Sequence, residues 1–176
     1  MSISDLDPLV KVRIDNIIDR GFDVVIGDAN GADTLIQRYL SSRGVTRATV
    51  FCSDEMPRNN IGNWPVERVA TRYAQGARAF FTAKDIRMAE VADIGLMIWD
   101  TTSTGTLSNV LELLARKKTS VVFVSQGKDF RSIRTVEDLE RLLSYMPPHA
   151  QRKADEKIRL FDRIGALRHE QRSMFD

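Results

Sequence analysis

The sequence predicts an α/β protein, with a Rossmann-like parallel sheet carrying helices on both faces. Three observations carry that prediction. Short apolar runs rich in β-branched residues stand at 22–27 (FDVVIG), 47–53 (RATVFCS), 94–100 (IGLMIWD) and 119–125 (TSVVFVS). Amphipathic helical stripes alternate with them, the pattern of parallel strands covered on both sides. Two of the runs pass directly into turns rich in Gly, Asp and hydroxyl residues that open helices, and such turns are where doubly wound sheets bind their ligands.

The elements follow in chain order. Asp7 is a fitting N-cap, Pro8 suits a first helical position and Gly21 a C-terminal stop, so a helix precedes the first strand. Its Leu6, Val10, Ile14, Ile17 and Ile18 form one apolar stripe. Residues 31–43 read as the next helix, with Ala32, Leu35, Ile36, Tyr39 and Leu40 inward and Gly44 closing it. A polar loop follows at 54–64 (DEMPRNNIGNW), long enough within a compact domain to suggest a purpose. A helix is expected to begin near Pro65 and a short strand at 77–81 (ARAFF). Thr82 and Asp85 have capping-box spacing, predicting a helix from there to about Ala92. Another helix is expected at 105–117, a short one at 135–145 and, beyond Pro147-Pro148, a charged one at about 150–172. The last carries a stripe of Ile158, Phe161, Ile164 and Leu167, to be packed on the domain or on a second copy of the chain. The expected division is a Rossmannoid domain at 1–127 and a C-terminal helical extension at 128–176.

Composition narrows the function classes. Twenty-six Lys and Arg against 24 Asp and Glu give a net charge of +2, too balanced to mark a nucleic-acid binder. Cys52 is the single cysteine, so an internal disulfide and a Cys-based metal cluster within one chain are both excluded. It ends an apolar run, which reads as a buried structural thiol. No secretory pattern opens the chain and no apolar run approaches membrane-spanning length, so a cytoplasmic protein without a membrane partner is expected.

Chemistry is expected at two strand-to-helix turns. The first is Gly27-Asp28-Ala29-Asn30-Gly31-Ala32-Asp33. It is neither a GxGxxG fingerprint nor a Walker A loop. Gly27 and Gly31 would let backbone approach a ligand, with Asp28, Asn30 and Asp33 as polar contacts. Alternatively, Asn30 caps the helix and Asp33 offsets its dipole. The second turn runs Asp100-Thr101-Thr102-Ser103-Thr104-Gly105-Thr106. Free N–H groups at that helix start, the bare Gly105, and the hydroxyls of Ser103, Thr104 and Thr106 make a phosphate cradle. An ordinary N-cap by Ser103 or Thr104 is the alternative. Arg58 and Asn59 in the long loop suit phosphate or base edges.

Taken together, Gly27-x-x-x-Gly31-Ala32-Asp33 after a strand, Lys84-Asp85-x-x-Met88-Ala89-x-x-Ala92-Asp93, a strand ending Trp99-Asp100, and Ser103-x-Gly105-Thr106 resemble the SLOG superfamily. That group includes SMF/DprA-like and LOG-like Rossmannoid proteins and is distantly similar to nucleoside 2-deoxyribosyltransferases. The resemblance covers roughly residues 8 to 125. It implies a nucleotide or nucleotide-derived ligand, and usually a homo-oligomer. Two departures stand out. The resemblance implies an earlier strand with a Gly-Ser-Arg-like turn, which the MSIS ahead of the first helix does not supply. The LOG-like enzymes also carry a glutamate where this chain has Asn109, and an amide supplies no negative charge to an oxocarbenium-like transition state.

Glu112, one helical turn further on, is a candidate replacement or simply a helix charge. Asp85 either orients a ribose, as the transferase-like relatives imply, or caps a helix with Thr82. Asp93 begins its strand, at the end remote from the expected site, and reads as structural. The leading reading is a sensor or binding module for a nucleotide-derived small molecule, held between the turns at 27–33 and 100–106. An N-glycosidase or deoxyribosyltransferase using Asp85 or Glu112 is the alternative, and an oligomeric interaction protein with a decayed pocket is a third. No motif calls for a metal or a cofactor.

Overall fold

The structure is a computed structural model that describes residues 5–71 and 78–173, arranged as two compact units, Met1–Ala92 and Asp93–Asp176. The α/β class is as expected. The described strands divide into two three-stranded sheets, one in each unit.

In the first unit, helix α1 (Pro8–Asp19) starts where the Asp7 carboxylate accepts from Leu9 N at 2.9 Å. It stops at Gly21, whose φ of 69° is the left-handed turn a side chain would resist. There Gly21 N donates to Ile18 O and Phe22 N to Ile17 O, the two bonds of a Schellman motif. Strand β1 (Val24–Gly27), helix α2 (Ala32–Ser42) and strand β2 (Ala48–Cys52) follow, and β1 and β2 pair in parallel from Val24↔Ala48 to Gly27↔Phe51. Gly44 closes α2 with the same motif, Val45 N reaching Leu40 O. Val10, Ile14, Ile26, Leu40, Val50 and Phe51 are buried, the helical and strand stripes doing what their periods predict.

Two expectations between 65 and 82 are overturned. No helix begins at Pro65; strand β3 (Val66–Arg68) adds in parallel to the edge of β2, with Val50 N donating to Pro65 O at 2.9 Å. Proline at the start of an edge strand sacrifices no ladder bond, so the same residue serves either element. The strand expected at 77–81 is not formed, because residues 78–81 are the first turn of helix α3 (Arg78–Val91); residue 77 lies outside the described residues. A short apolar run cannot be told from a buried helix segment by periodicity. Thr82 is therefore inside α3, and the capping box with Asp85 does not exist.

In the second unit, β4 (Ile94–Trp99) pairs in parallel with β5 (Thr119–Val124) along its whole length. Gly95 lies close under helix α4 (Thr104–Ala115), where a Cβ would lie 2.4 Å from Leu113 Cδ1. Strand β6 (Asp129–Ile133), which the sequence pattern did not reveal, returns antiparallel on β5. Phe130 meets Phe123 across the pair at 5.1 Å between ring centroids, and Ile133 is buried. Helix α5 (Val136–Leu143) has a complete capping box from Thr135 and Asp138. The single helix expected at 150–172 is two, α6 (Pro148–Ile158) and α7 (Leu160–Ser173), broken at Arg159 with φ 52°. Phe161 N, freed by the break, donates to the Asp155 carboxylate at 3.0 Å. Ile158 and Ile164 enter this unit's core with Leu167 packed against it, while Phe161 is exposed. No helix among the described residues is long and apolar enough to cross a membrane.

Candidate functional site

Each of the two turns is built within its own unit. At the first, β1 delivers Gly27 and Asp28 and α2 delivers Asp33, while Arg58 comes from the loop after β2 and Lys84 and Asp85 from α3. Asp28 is buried and gripped by Arg58 three times: Nη2 to Oδ1 at 2.8 Å, Nε to Oδ2 at 3.2 Å, and the backbone N to Oδ2 at 3.0 Å. Lys84 Nζ, also buried, lies 2.8 Å from Asp85 Oδ1 and 3.9 Å from Asp28 Oδ1. Asp33 Oδ2 accepts from Ala29 N at 3.1 Å.

The glycine at 27 now has a reason. A Cβ there would lie 2.4 Å from Asp33 Oδ2 and 2.8 Å from Lys84 Nζ, so the chain's own side chains occupy the space that the sequence reserved for a ligand. Asn30 does not cap α2; Gly31 is the N-cap, with φ 94° and no side-chain bond. Asn30 Oδ1 instead accepts from Asn59 Nδ2 at 2.9 Å, and the same amide donates to Asp28 O at 2.8 Å. Gln37, fully buried, donates to Gly27 O and Asn59 O and accepts from Ile61 N. The long loop is thus tied to the turn by Arg58, Asn59 and Gln37 and is not a solvated excursion.

Three carboxylates and two cations make this cluster acidic by one charge when all are ionised. Burial pushes the Asp28 carboxyl up, but the hydrogen bonds and charge of Arg58 outweigh it and hold the group below its ordinary range. At Asp33 burial dominates over the Lys84 charge, and the carboxyl is raised. Burial would lower Lys84, yet the charges of Asp85, Asp33 and Asp28 overcome it and keep the ammonium protonated. With its charges turned on one another, the cluster leaves no net positive charge for a phosphate. Cys52 is buried, and burial raises its thiol, which fits a structural role.

The second turn differs in kind. Trp99 is fully buried, with Nε1 donating to Ser103 O at 3.1 Å. Asp100 Oδ1 accepts from Thr102 N at 3.0 Å and Ser103 N at 2.7 Å, an Asx turn that sets the entry into α4. Thr101 is buried with φ 66°, a conformation that a β-branched residue adopts only under constraint. Ser103 occupies the N-cap but makes no side-chain cap bond; its hydroxyl accepts from Thr106 Oγ1 at 3.4 Å. Gly105 is exposed, and nothing would lie within 4 Å of a Cβ built there. Thr104 and Thr106 flank it, and the half-buried Asn109 follows one turn along the same face. Among the described residues, the N-cap side chain thus leaves the helix-start N–H groups of α4 uncapped.

Of the two carboxylates put forward for catalysis, Asp85 joins the first cluster and Glu112 does not join the second turn. Glu112 Oε1 accepts from Arg163 Nη2 at 2.6 Å and Oε2 from Arg116 Nη1 at 2.7 Å, tying α4 to α7. Lys84 is the participant the sequence reading overlooked as a site residue; its signal was a lysine beside an acid on a helix, with carboxylates at the preceding strand end. Ser53 and Arg68, at the carboxyl ends of β2 and β3, belong to no sequence motif and line a cleft with Glu55. Among the described residues, no group of three or more His, Cys, Asp or Glu is placed to hold a metal. No family model, curated protein or solved structure matches this chain.

Proposed function

We propose that this protein is a sensor or binding module for a nucleotide or nucleotide-derived small molecule, seated by its phosphate on the amino terminus of α4. The observation that carries the reading is the open helix start at Gly105, where the N-cap Ser103 makes no side-chain cap bond. Backbone N–H groups and the positive end of the helix dipole make an anion seat where glycine allows close approach. The hydroxyls of Ser103, Thr104 and Thr106 and the amide of Asn109 supply further contacts along one side. The constrained Thr101 supports the same reading, since strain of this kind gathers at functional turns.

The test is thermal shift and calorimetric titration of the whole chain with nucleoside monophosphates and ADP-ribose-like compounds. A ligand at a hundred times its dissociation constant stabilises the protein by about 2.7 kcal/mol. Gly105→Asp places a carboxylate at the second helical position, where the dipole favours it and no atom obstructs it. The variant therefore folds as well as the parent and loses the ligand. Binding that is unchanged in Gly105→Asp, or a panel without a single binder, overturns the reading.

A further inference from the structure

The carboxyl ends of β2 and β3 hold a cleft of about 420 Å³, lined by Ser53, Asp54, Glu55, Arg68, Val69, Ala70 and Thr71. It lies at the edge of a parallel sheet where strand ends leave room for ligands. Three features of it are unspent. The Ser53 hydroxyl is buried without a hydrogen-bond partner, and such groups call for an occupant. The Arg68 guanidinium makes no ion pair or side-chain hydrogen bond among the described residues. The Glu55 carboxylate, on the same cleft, makes none either, so two opposite charges share one small volume without pairing with each other.

Charges held apart in this way match a ligand that carries both signs. A phosphate dianion would face Asp54 and Glu55 with only Arg68 in its favour, and a simple amine would face Arg68. We propose that this cleft binds an amino-acid-like zwitterion, its carboxylate on Arg68, its ammonium on Glu55 and Asp54, and its side chain against Val69 and Ala70. The site lies within the first unit and is independent of the phosphate seat on α4.

Isothermal titration of the whole chain with each proteinogenic amino acid tests this. One or a few amino acids are expected to saturate a single site, with Arg68→Gln and Glu55→Gln each weakening binding by about tenfold or more. Putrescine and succinate, each carrying one sign only, are expected to bind at least about tenfold more weakly than the best amino acid. Arg68 and Glu55 are exposed, so both variants keep the parent's circular dichroism and melting. Gly105→Asp is expected to leave amino-acid binding unchanged, which separates this site from the phosphate seat. The proposal fails if no amino acid saturates the protein by about 10 mM, if either variant binds as the parent does, or if a half-ligand binds as tightly.

Discussion

The turn after β1 and the turn after β4 share one grammar, an apolar strand running into a glycine-bearing connection and then a helix. They use it for opposite ends. In the first, Gly27 makes room for Asp33 and Lys84, and the polar atoms of Asp28, Asn30, Arg58 and Asn59 face one another. In the second, Asp100 shapes the backbone and then leaves the helix start open, with Gly105 facing unoccupied space. A glycine at a strand-to-helix turn thus speaks for a ligand only after asking what already fills the space beside it. The first turn is a buried electrostatic joint that fastens a long loop and a helix to a strand end.

The largest effect is expected on the first turn. Lys84→Met removes the buried cation from among three carboxylates and is expected to cost about 3–5 kcal/mol of stability in denaturant unfolding. A loss below about 1 kcal/mol would show that the cluster is solvated and the joint unimportant. A paired substitution sharpens the contrast. Gly27→Ala drives a Cβ to 2.4 Å from Asp33 Oδ2 and is expected to destabilise by about 1–3 kcal/mol. Gly105→Ala enters open space at a helix start and is expected to be neutral or stabilising by up to about 1 kcal/mol. Equal costs at the two glycines would erase the distinction between a filled turn and an open one.

A smaller effect concerns pH. Asp33 has its carboxyl raised above the ordinary 3.8 by burial, so the folded state holds its proton to higher pH than the unfolded state does. Its cost to stability is absent below the unfolded value, grows as pH rises from there through the raised folded value, and is complete above it. Asp33→Asn keeps an acceptor for Ala29 N while removing the charge, and is expected to raise Tm more at pH 8 than at pH 4. Asp28 works in the other direction, since its lowered carboxyl contributes stability that is lost as pH falls through the folded value. A Tm change for Asp33→Asn that is the same at both pH values would contradict this account of the cluster.

Much of the fold was legible because it is local. The Asp7-Pro8 start, the Gly21 and Gly44 stops, and the apolar runs of β1, β2, β4 and β5 each depend on a few neighbouring residues and a period. The errors fall where local preference is ambiguous and a distant partner decides. Pro65-Val66 became a strand because β2 offered an edge, and the ARAFF run, from residue 78 on, joined a helix. The strand Asp129–Ile133 formed because β5 offered its other edge, with Phe123 awaiting Phe130. The C-terminal helix broke at Arg159, a residue with no glycine or proline to announce it.

What the sequence determined by itself is the α/β class, the order of most elements and the residue types gathered at the two turns. Which side chains meet was decided only in three dimensions. Asp28 and Arg58 stand 30 residues apart, and Lys84 lies far from Asp33 along the chain, so no short-range pattern could foretell that they would neutralise one another. Composition made both turns polar and glycine-bearing. Packing consumed the polarity of the first and left the second open, because burying charge is tolerable only when each group finds its partner.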